Sequence, residues 1–127
     1  MTDKTTAQIL SEAADVIDRN GWHQGELYDA EAAAAGKDPK DCPVCLMGAI
    51  HVAGYGLPTW TGAPGGDEHE RLMRCTDRAV IAAVDHLIDL YAGTDMEPVL
   101  PDWNDAPSRT RDQVTAFLRA AAAKARG

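Results

Sequence analysis

Cys42 and Cys45 are the residues whose types and spacing most clearly permit chemistry. A C-x-x-C pair at the start of a helix could hold one zinc ion, because both sulfurs can reach the ion and the helix N-terminus favours thiolates. Two further ligands would have to come from His51, Cys75, His69 or His23. The sequence has no second C-x-x-C and no H-x₃-H pair, and free cysteines are usually small core residues. We therefore expect no metal and no cofactor, and keep a zinc-stabilised domain as an alternative.

A second group of chemical interest is Trp103, Asn104 and Asp105, followed by Arg109. An aromatic ring, a carboxylate and a guanidinium could together form an exposed recognition patch. The structural interpretation is that Trp103 fills the core and that Asp105 accepts from backbone N–H groups or pairs with Arg109. Pro107 disfavours helix at the residue before it, so this segment must satisfy its backbone groups through side chains. We favour the structural interpretation.

The segment Trp22-His23-Gln24 could bind a small ligand, although a tryptophan in such a place more often covers the core. An enzyme, a hydrolase or transferase, would have an unrecognised site around Trp22, Asp105 and Arg109. His86 lies beside Asp85, but no nucleophile of matching spacing accompanies them. The sequence contains no P-loop, G-x-G-x-x-G, H-E-x-x-H or G-x-S-x-G. A non-enzymatic protein is the preferred interpretation.

Four helical stretches are expected to position these residues, which predicts a mainly α, compact bundle of about four helices. The first begins after Thr5, where Gln8 completes a capping box, and ends at Gly21. The last begins after Thr110, with Gln113 in the corresponding place. Both helices carry apolar residues at helical spacing.

The second and third helices should supply most of the remaining core. The second, from about residue 43 to 53, is apolar nearly all round and should be buried. Its Gly48 should permit the close approach of another helix. The third should run from Asp67 to about Ala92, with an acidic start that suits the helix dipole and a core stripe that reaches Ile88 and Tyr91.

Two connecting segments are less regular. Residues 26–42 could form a short hairpin, or a short helix at Ala30 to Ala35. Residues 54–66 are rich in glycine and proline, and we expect them to form an exposed loop that presents Tyr55 and Trp60. Tyrosine and tryptophan on a loop are typical anchors of a protein interface.

The composition limits the class of protein. With 127 residues, 45% of them hydrophobic, the chain should form a single domain, residues 1–127. The net charge is −8, and residues 1–108 carry −12 against +4 in residues 109–127. An acidic body argues against nucleic-acid binding as a function, since phosphate contacts need a basic surface. Without a long apolar run or an export signal, we expect a cytoplasmic protein with reduced cysteines and no membrane contact.

Several short motifs taken together resemble a known family. They are Gly21-Trp22-His23-Gln24-Gly25, Cys45-Leu46-Met47-Gly48-Ala49-Ile50, Trp103-Asn104-Asp105, Arg109-Thr110 and Val114. The set is similar to a family of small uncharacterised proteins of actinobacteria and their phages, grouped as a domain of unknown function, and the similarity runs from about Ile9 to Ala122. It implies a compact helical domain with no established activity. Cys42 departs from the family pattern, so a metal site shared by the family is not implied.

The sequence thus favours a small non-enzymatic domain that binds another protein or itself, for example in a phage–host interaction. Its candidate binding residues are Tyr55, Trp60, Trp22, Trp103, Asp105 and Arg109. The alternatives are the zinc-stabilised domain on Cys42 and Cys45, and the enzyme.

Overall fold

A computed structural model describes residues 3–59 and 66–126 as a helical fold. In those ranges the helices are α1 (Thr6–Asn20), α2 (Ala30–Ala34), α3 (Leu46–Tyr55), α4 (Asp67–Leu90), α5 (Leu100–Asp105) and α6 (Arg111–Arg126), with a 3₁₀ turn at Pro39–Asp41. The four long helices are the predicted ones, and the expected mainly α architecture is confirmed. None of the described helices is long and apolar enough to cross a membrane.

Capping boxes begin the first and last helices, as the sequence predicts. Thr5 Oγ1 accepts from the backbone N–H of Gln8 at 3.1 Å, and the Gln8 side chain accepts from the Thr5 N–H at 2.8 Å. Thr110 and Gln113 make the same reciprocal pair at 3.2 and 3.0 Å. Each box satisfies N–H groups that have no partner within the helix. Gly21 follows α1 with φ at 103°, a conformation that glycine adopts without strain.

The core lies where α1 packs along α6 and α3, and where α3 packs on α4. Helix α3 is the buried helix that its apolar sequence predicts, since Leu46, Ala49 and Ile50 are all inaccessible to solvent. It begins at Leu46 rather than at Pro43, because Cys42 and Cys45 are extended and Val44 makes β-type bridges.

Two glycines of α3 have different neighbours. Gly48 faces the carbonyl of Leu27, with which a Cβ at this position would collide. Its predicted close approach is therefore to a loop and not to a helix. Gly54 provides the close contact between helices, because a Cβ there would overlap the side chain of Thr76 on α4.

The hairpin considered for residues 26–42 is wrong. That segment contains α2, capped by Asp29, whose carboxylate accepts from the N–H groups of Glu31 and Ala32 at 3.1 and 3.2 Å. The only β-type pairing among the described residues centres on Val44, which bridges Trp22 in parallel and Tyr28 in antiparallel fashion. An alanine-rich sequence after a good N-cap favours helix over strand. The segment therefore forms the short helix that was the alternative to the hairpin.

Helix α5 is not among the four predicted helices. It has only six residues, too few for a periodic pattern, and it includes Pro101, which a first helical turn tolerates. Its first residue, Leu100, is buried. This short helix carries Trp103, Asn104 and Asp105 to the end of the bundle.

The expected exposed loop at 54–66 begins later than predicted. Gly54 and Tyr55 belong to α3, and Pro58 is buried. Tyr55 is half-buried, with its ring 5.3 Å from that of His69 on α4. Trp60 lies outside the described residues. Tyr55 is therefore a helix-packing residue here, and the interface argument for this loop is weaker than the sequence indicates.

Candidate functional site

Asn104, at the end of α5, uses every hydrogen-bonding position of its side-chain amide. It is 1% exposed. Its Oδ1 accepts from the indole Nε1 of Trp22 at 2.8 Å and from the backbone N–H of Leu46 at 3.0 Å. Its Nδ2 donates to the carbonyl of His23 at 3.2 Å and to Asp105 Oδ1 at 2.9 Å. A side-chain amide has two donor hydrogens and two acceptor lone pairs, so this asparagine is satisfied.

Two neighbouring contacts join the same segments. Gln24 Nε2 donates to the carbonyls of Asn104 and Ala106, both at 3.0 Å. Asp105 Oδ1 accepts from the backbone N–H of Gly25 at 2.9 Å, which confirms that Asp105 serves as a backbone acceptor. We call the set Trp22, Gln24, Leu46, Asn104 and Asp105 the Asn104 junction. It ties the segment after α1, the start of α3 and the end of α5 to one another.

Arg109 contacts Trp103 rather than Asp105, so the expected charge pair is wrong. Its Nε donates to the Trp103 carbonyl at 2.8 Å, and its guanidinium carbon lies 3.9 Å from the centre of the indole ring. The indole of Trp103 also packs against the ring of Phe117 on α6, with 4.7 Å between the two ring centres. The arginine thus fixes the turn between α5 and α6 and stacks on the tryptophan.

The cysteines of the C-x-x-C pair make separate hydrogen bonds. The Cys42 thiol donates to the carbonyl of Asp38 at 3.4 Å, and Cys45 Sγ caps α3 by accepting from the Gly48 N–H at 3.3 Å. Both are buried, and burial raises the pKa of each thiol. Within residues 3–59 and 66–126, no three His, Cys, Asp or Glu side chains come together as a metal-binding group.

One of the histidines considered as a further zinc ligand, His51, lies within α3 and is 6% exposed. Its Nδ1 is 2.9 Å from the carbonyl of Pro58. Burial lowers the pKa of this imidazole, and the Pro58 carbonyl acts in the opposite direction.

A cleft of about 300 Å³ opens beside the junction. Its lining residues are Gly25, Glu26, Leu27, Cys45, Met47, Pro101, Asn104 and Asp105. This volume is at the lower end for small-molecule sites. Trp22 is not part of the lining, and Arg109 lines a different groove. Neither this cleft nor that groove therefore brings the three residues of the enzyme hypothesis together.

A larger apolar surface lies where α4 is followed by the connection to α5. Ile88, Met96 and Val99 each leave more than half of their surface exposed, at 52%, 62% and 54%. Two adjoining grooves of about 210 and 380 Å³ run over this region and share Tyr91, Met96, Glu97 and Pro98. We call the set Ile88, Tyr91, Met96, Val99 and Trp103 the α4–α5 surface.

Sequence reasoning missed most of this surface. It assigned Ile88 to the core stripe of α4, but Leu87 faces the core and Ile88 lies beyond the edge of the buried face. Met96 and Val99 lie in a non-helical connection, where helical spacing carries no information about the buried face. The available signal was the presence of two large apolar residues beside prolines in a polar segment.

The acidic residues of this surface are not neutralised within the described part of the chain. Glu97 and Asp102 line the grooves, and Asp95 precedes Met96. All three are exposed, and none has an ion-pair partner among the described residues. Of the residues that line the two grooves, Arg109 is the only Lys or Arg.

The fold and the site define a small α-helical domain. At one end of it, a buried asparagine joins three segments of the chain to one another. The chain belongs to a family of unknown function, DUF6197, and the match spans residues 1–124. This confirms the resemblance to an uncharacterised family. Comparison with curated proteins and with solved structures finds no match.

Three of the five short motifs that carry the resemblance supply the residues of the Asn104 junction. Trp22 and Gln24 come from the first motif, Leu46 from the second, and Asn104 and Asp105 from the third. In this chain, each of these three motifs supplies hydrogen-bond partners for another of them.

Proposed function

We propose that this chain is a small protein-binding domain and that its partner binds at the α4–α5 surface. The observation that carries the proposal is the exposure of Ile88, Met96 and Val99 around two adjoining grooves. Single exposed apolar residues are ordinary, whereas contiguous apolar patches mark interaction sites.

The residue types of the surface support this proposal. Tryptophan, tyrosine and arginine are the side chains most often responsible for binding energy at protein interfaces. Trp103, Tyr91 and Arg109 all line one of the grooves. Because Phe117 and Arg109 hold the indole in place, binding there would cost little additional side-chain entropy.

The test compares the proteins that two surface variants of the tagged chain capture in its native host cell. Met96→Asp combined with Val99→Asp places charges in the grooves, and it should abolish capture of the specific partner. Ile81→Asp is the matched control, because Ile81 is 59% exposed on α4 and does not line either groove. Both variants should keep the helical circular dichroism of the parent. Capture of the same proteins by both variants would refute this surface as the binding site.

A further inference from the structure

We infer that the segment bound by the α4–α5 surface is a basic peptide stretch that carries two large apolar side chains flanked by lysine or arginine. The inference rests on the proposed function and specifies the chemistry of the partner.

The two anchors follow from the shape of the surface. The groove of about 210 Å³ is bounded by Val99, Trp103 and Arg109. The groove of about 380 Å³ is bounded by Ile88, Ala92 and Thr94. The two adjoin at Tyr91 and Met96. Adjoining apolar depressions accept successive apolar side chains of one segment, as in other groove-binding peptides.

The basic flanks follow from the charges around the grooves. Glu97 and Asp102 are exposed and have no ion-pair partner among the described residues. The nearby cation, Arg109, is already stacked on Trp103. A partner with positive charges at its edges would neutralise this rim, and opposite potentials across an interface favour the correct register. The charge of −12 on residues 1–108 also attracts such a partner at long range.

The same charges disfavour a second copy of this chain as the occupant. A two-fold contact through the α4–α5 surface would bring two acidic rims together, because an isologous interface uses the same patch on both copies. Like charges brought together at an interface oppose association.

The experiment uses a synthetic peptide with two leucine anchors and lysine flanks, and a matched peptide with glutamate in place of each lysine. Amide chemical shifts of the isotope-labelled full chain give the site and the affinity. The lysine peptide should shift the amides of residues 91–103, and the glutamate peptide should not. Raising the salt from about 0.05 to about 0.5 M should weaken the binding, because the Debye length falls severalfold.

A double charge-reversal variant tests whether the acidic rim of the grooves provides the electrostatic contribution to peptide binding. Glu97→Lys combined with Asp102→Lys should weaken the binding of the lysine peptide by about tenfold. The reason is that two charge pairs at the rim are lost and replaced by repulsion. The control is Glu70→Lys combined with Asp77→Lys, which changes the net charge equally on the first half of α4. It should change the affinity much less than the groove pair does.

The possible outcomes separate the inference from the proposed function. Equal binding of both peptides at residues 91–103 would overturn the basic chemistry and leave the protein-binding function standing. Failure of both peptides to bind at millimolar concentration would overturn the inference. The proposed protein-binding function is tested independently by the capture experiment in the host cell. A dimer in sedimentation that Met96→Asp with Val99→Asp dissociates would identify a second copy as the occupant and overturn the inference.

Discussion

The indole Nε1 of Trp22 donates to Oδ1 of Asn104 over 2.8 Å, although 82 positions separate the two residues along the chain. The same oxygen accepts the N–H of Leu46, one of the helix-start donors that have no partner within α3. One buried side chain therefore satisfies polar groups from three segments. Its removal would leave those groups buried without partners.

Asn104→Ala should lower the free energy of unfolding by about 2–5 kcal/mol, because each buried polar group left unsatisfied costs about 1–3 kcal/mol. The melting temperature should fall by roughly 10 °C or more for a domain of this size. Asn20→Ala is the control, since the Asn20 side chain donates an exposed hydrogen bond to the Lys40 carbonyl at 2.8 Å. It should cost about 1 kcal/mol or less. Equal melting of the two variants would contradict the role assigned to the junction.

Trp103, Asp105 and Arg109 should contribute to stability in that order. Trp103→Ala loses a half-buried ring packed on Phe117 and should cost about 3 kcal/mol. Asp105→Ala loses the acceptor of both the Gly25 N–H and the buried Asn104 Nδ2, and should cost about 1–2 kcal/mol. Arg109→Ala loses a partly exposed stacking contact and a hydrogen bond to the Trp103 carbonyl, and should cost at most about 1 kcal/mol. Urea unfolding gives the order. If all three unfold like the parent, their structural role is refuted.

Gly54→Ala should destabilise the α3–α4 contact by about 1–3 kcal/mol, since the added Cβ overlaps the side chain of Thr76. Thr76→Ala removes the overlapping hydroxyl and methyl groups. The double variant should therefore be more stable than the sum of the two single effects predicts, because the residues are in contact. Strict additivity in urea unfolding would show that the two residues do not limit the approach of these helices.

Zinc should not remain bound to the purified chain after dialysis. Zinc binds thiolates, whereas burial raises the pKa of Cys42 and Cys45 and so favours the neutral thiols. Elemental analysis of the native chain and of Cys42→Ser provides the measurement. One equivalent of zinc that is retained by the parent and lost in Cys42→Ser would establish the zinc-stabilised alternative.

Stability should decrease as the pH falls below about 6.5, the ordinary pKa of histidine. Burial lowers the pKa of His51 in the folded chain, so the unfolded chain binds more protons in this range. The stabilising effect of the neutral imidazole is present above pH 6.5 and is lost as the pH falls through the lowered pKa. His51→Gln should flatten the dependence of the urea midpoint between about pH 6.5 and 5. An unchanged slope in that variant would assign the effect to other groups.

Local signals predicted the long helices well. The capping boxes at Thr5 and Thr110 depend on residues three positions apart, and the apolar face of α3 depends on neighbours within a few turns. Such information is contained in a short stretch of sequence. Helix α5 was missed because a short helix with a proline gives no periodic pattern.

The candidate site depends on contacts between distant segments, which local patterns do not specify. The sequence indicates that Asp105 needs a donor, but not that the donor is Gly25. The sequence predicts Asp105 as a partner for Arg109, whereas in the fold Arg109 stacks on Trp103. The sequence indicates no partner for Asn104, whose side chain makes four hydrogen bonds in the fold. Ile88 satisfies the helical pattern of α4 and is still exposed, whereas Leu87 beside it is buried, because the pattern does not specify how wide the buried face of the helix is.

The separation between Trp22 and Asn104 has a consequence for the lifetime of the folded chain. Helix formation takes on the order of a microsecond, whereas a contact between positions 82 apart must first overcome the entropy of closing a long loop. We expect the Asn104 junction to close after the folding transition state. Interactions that form this late affect the unfolding rate and leave the folding rate nearly unchanged. The asparagine should therefore determine how long the native state persists more than how quickly it forms.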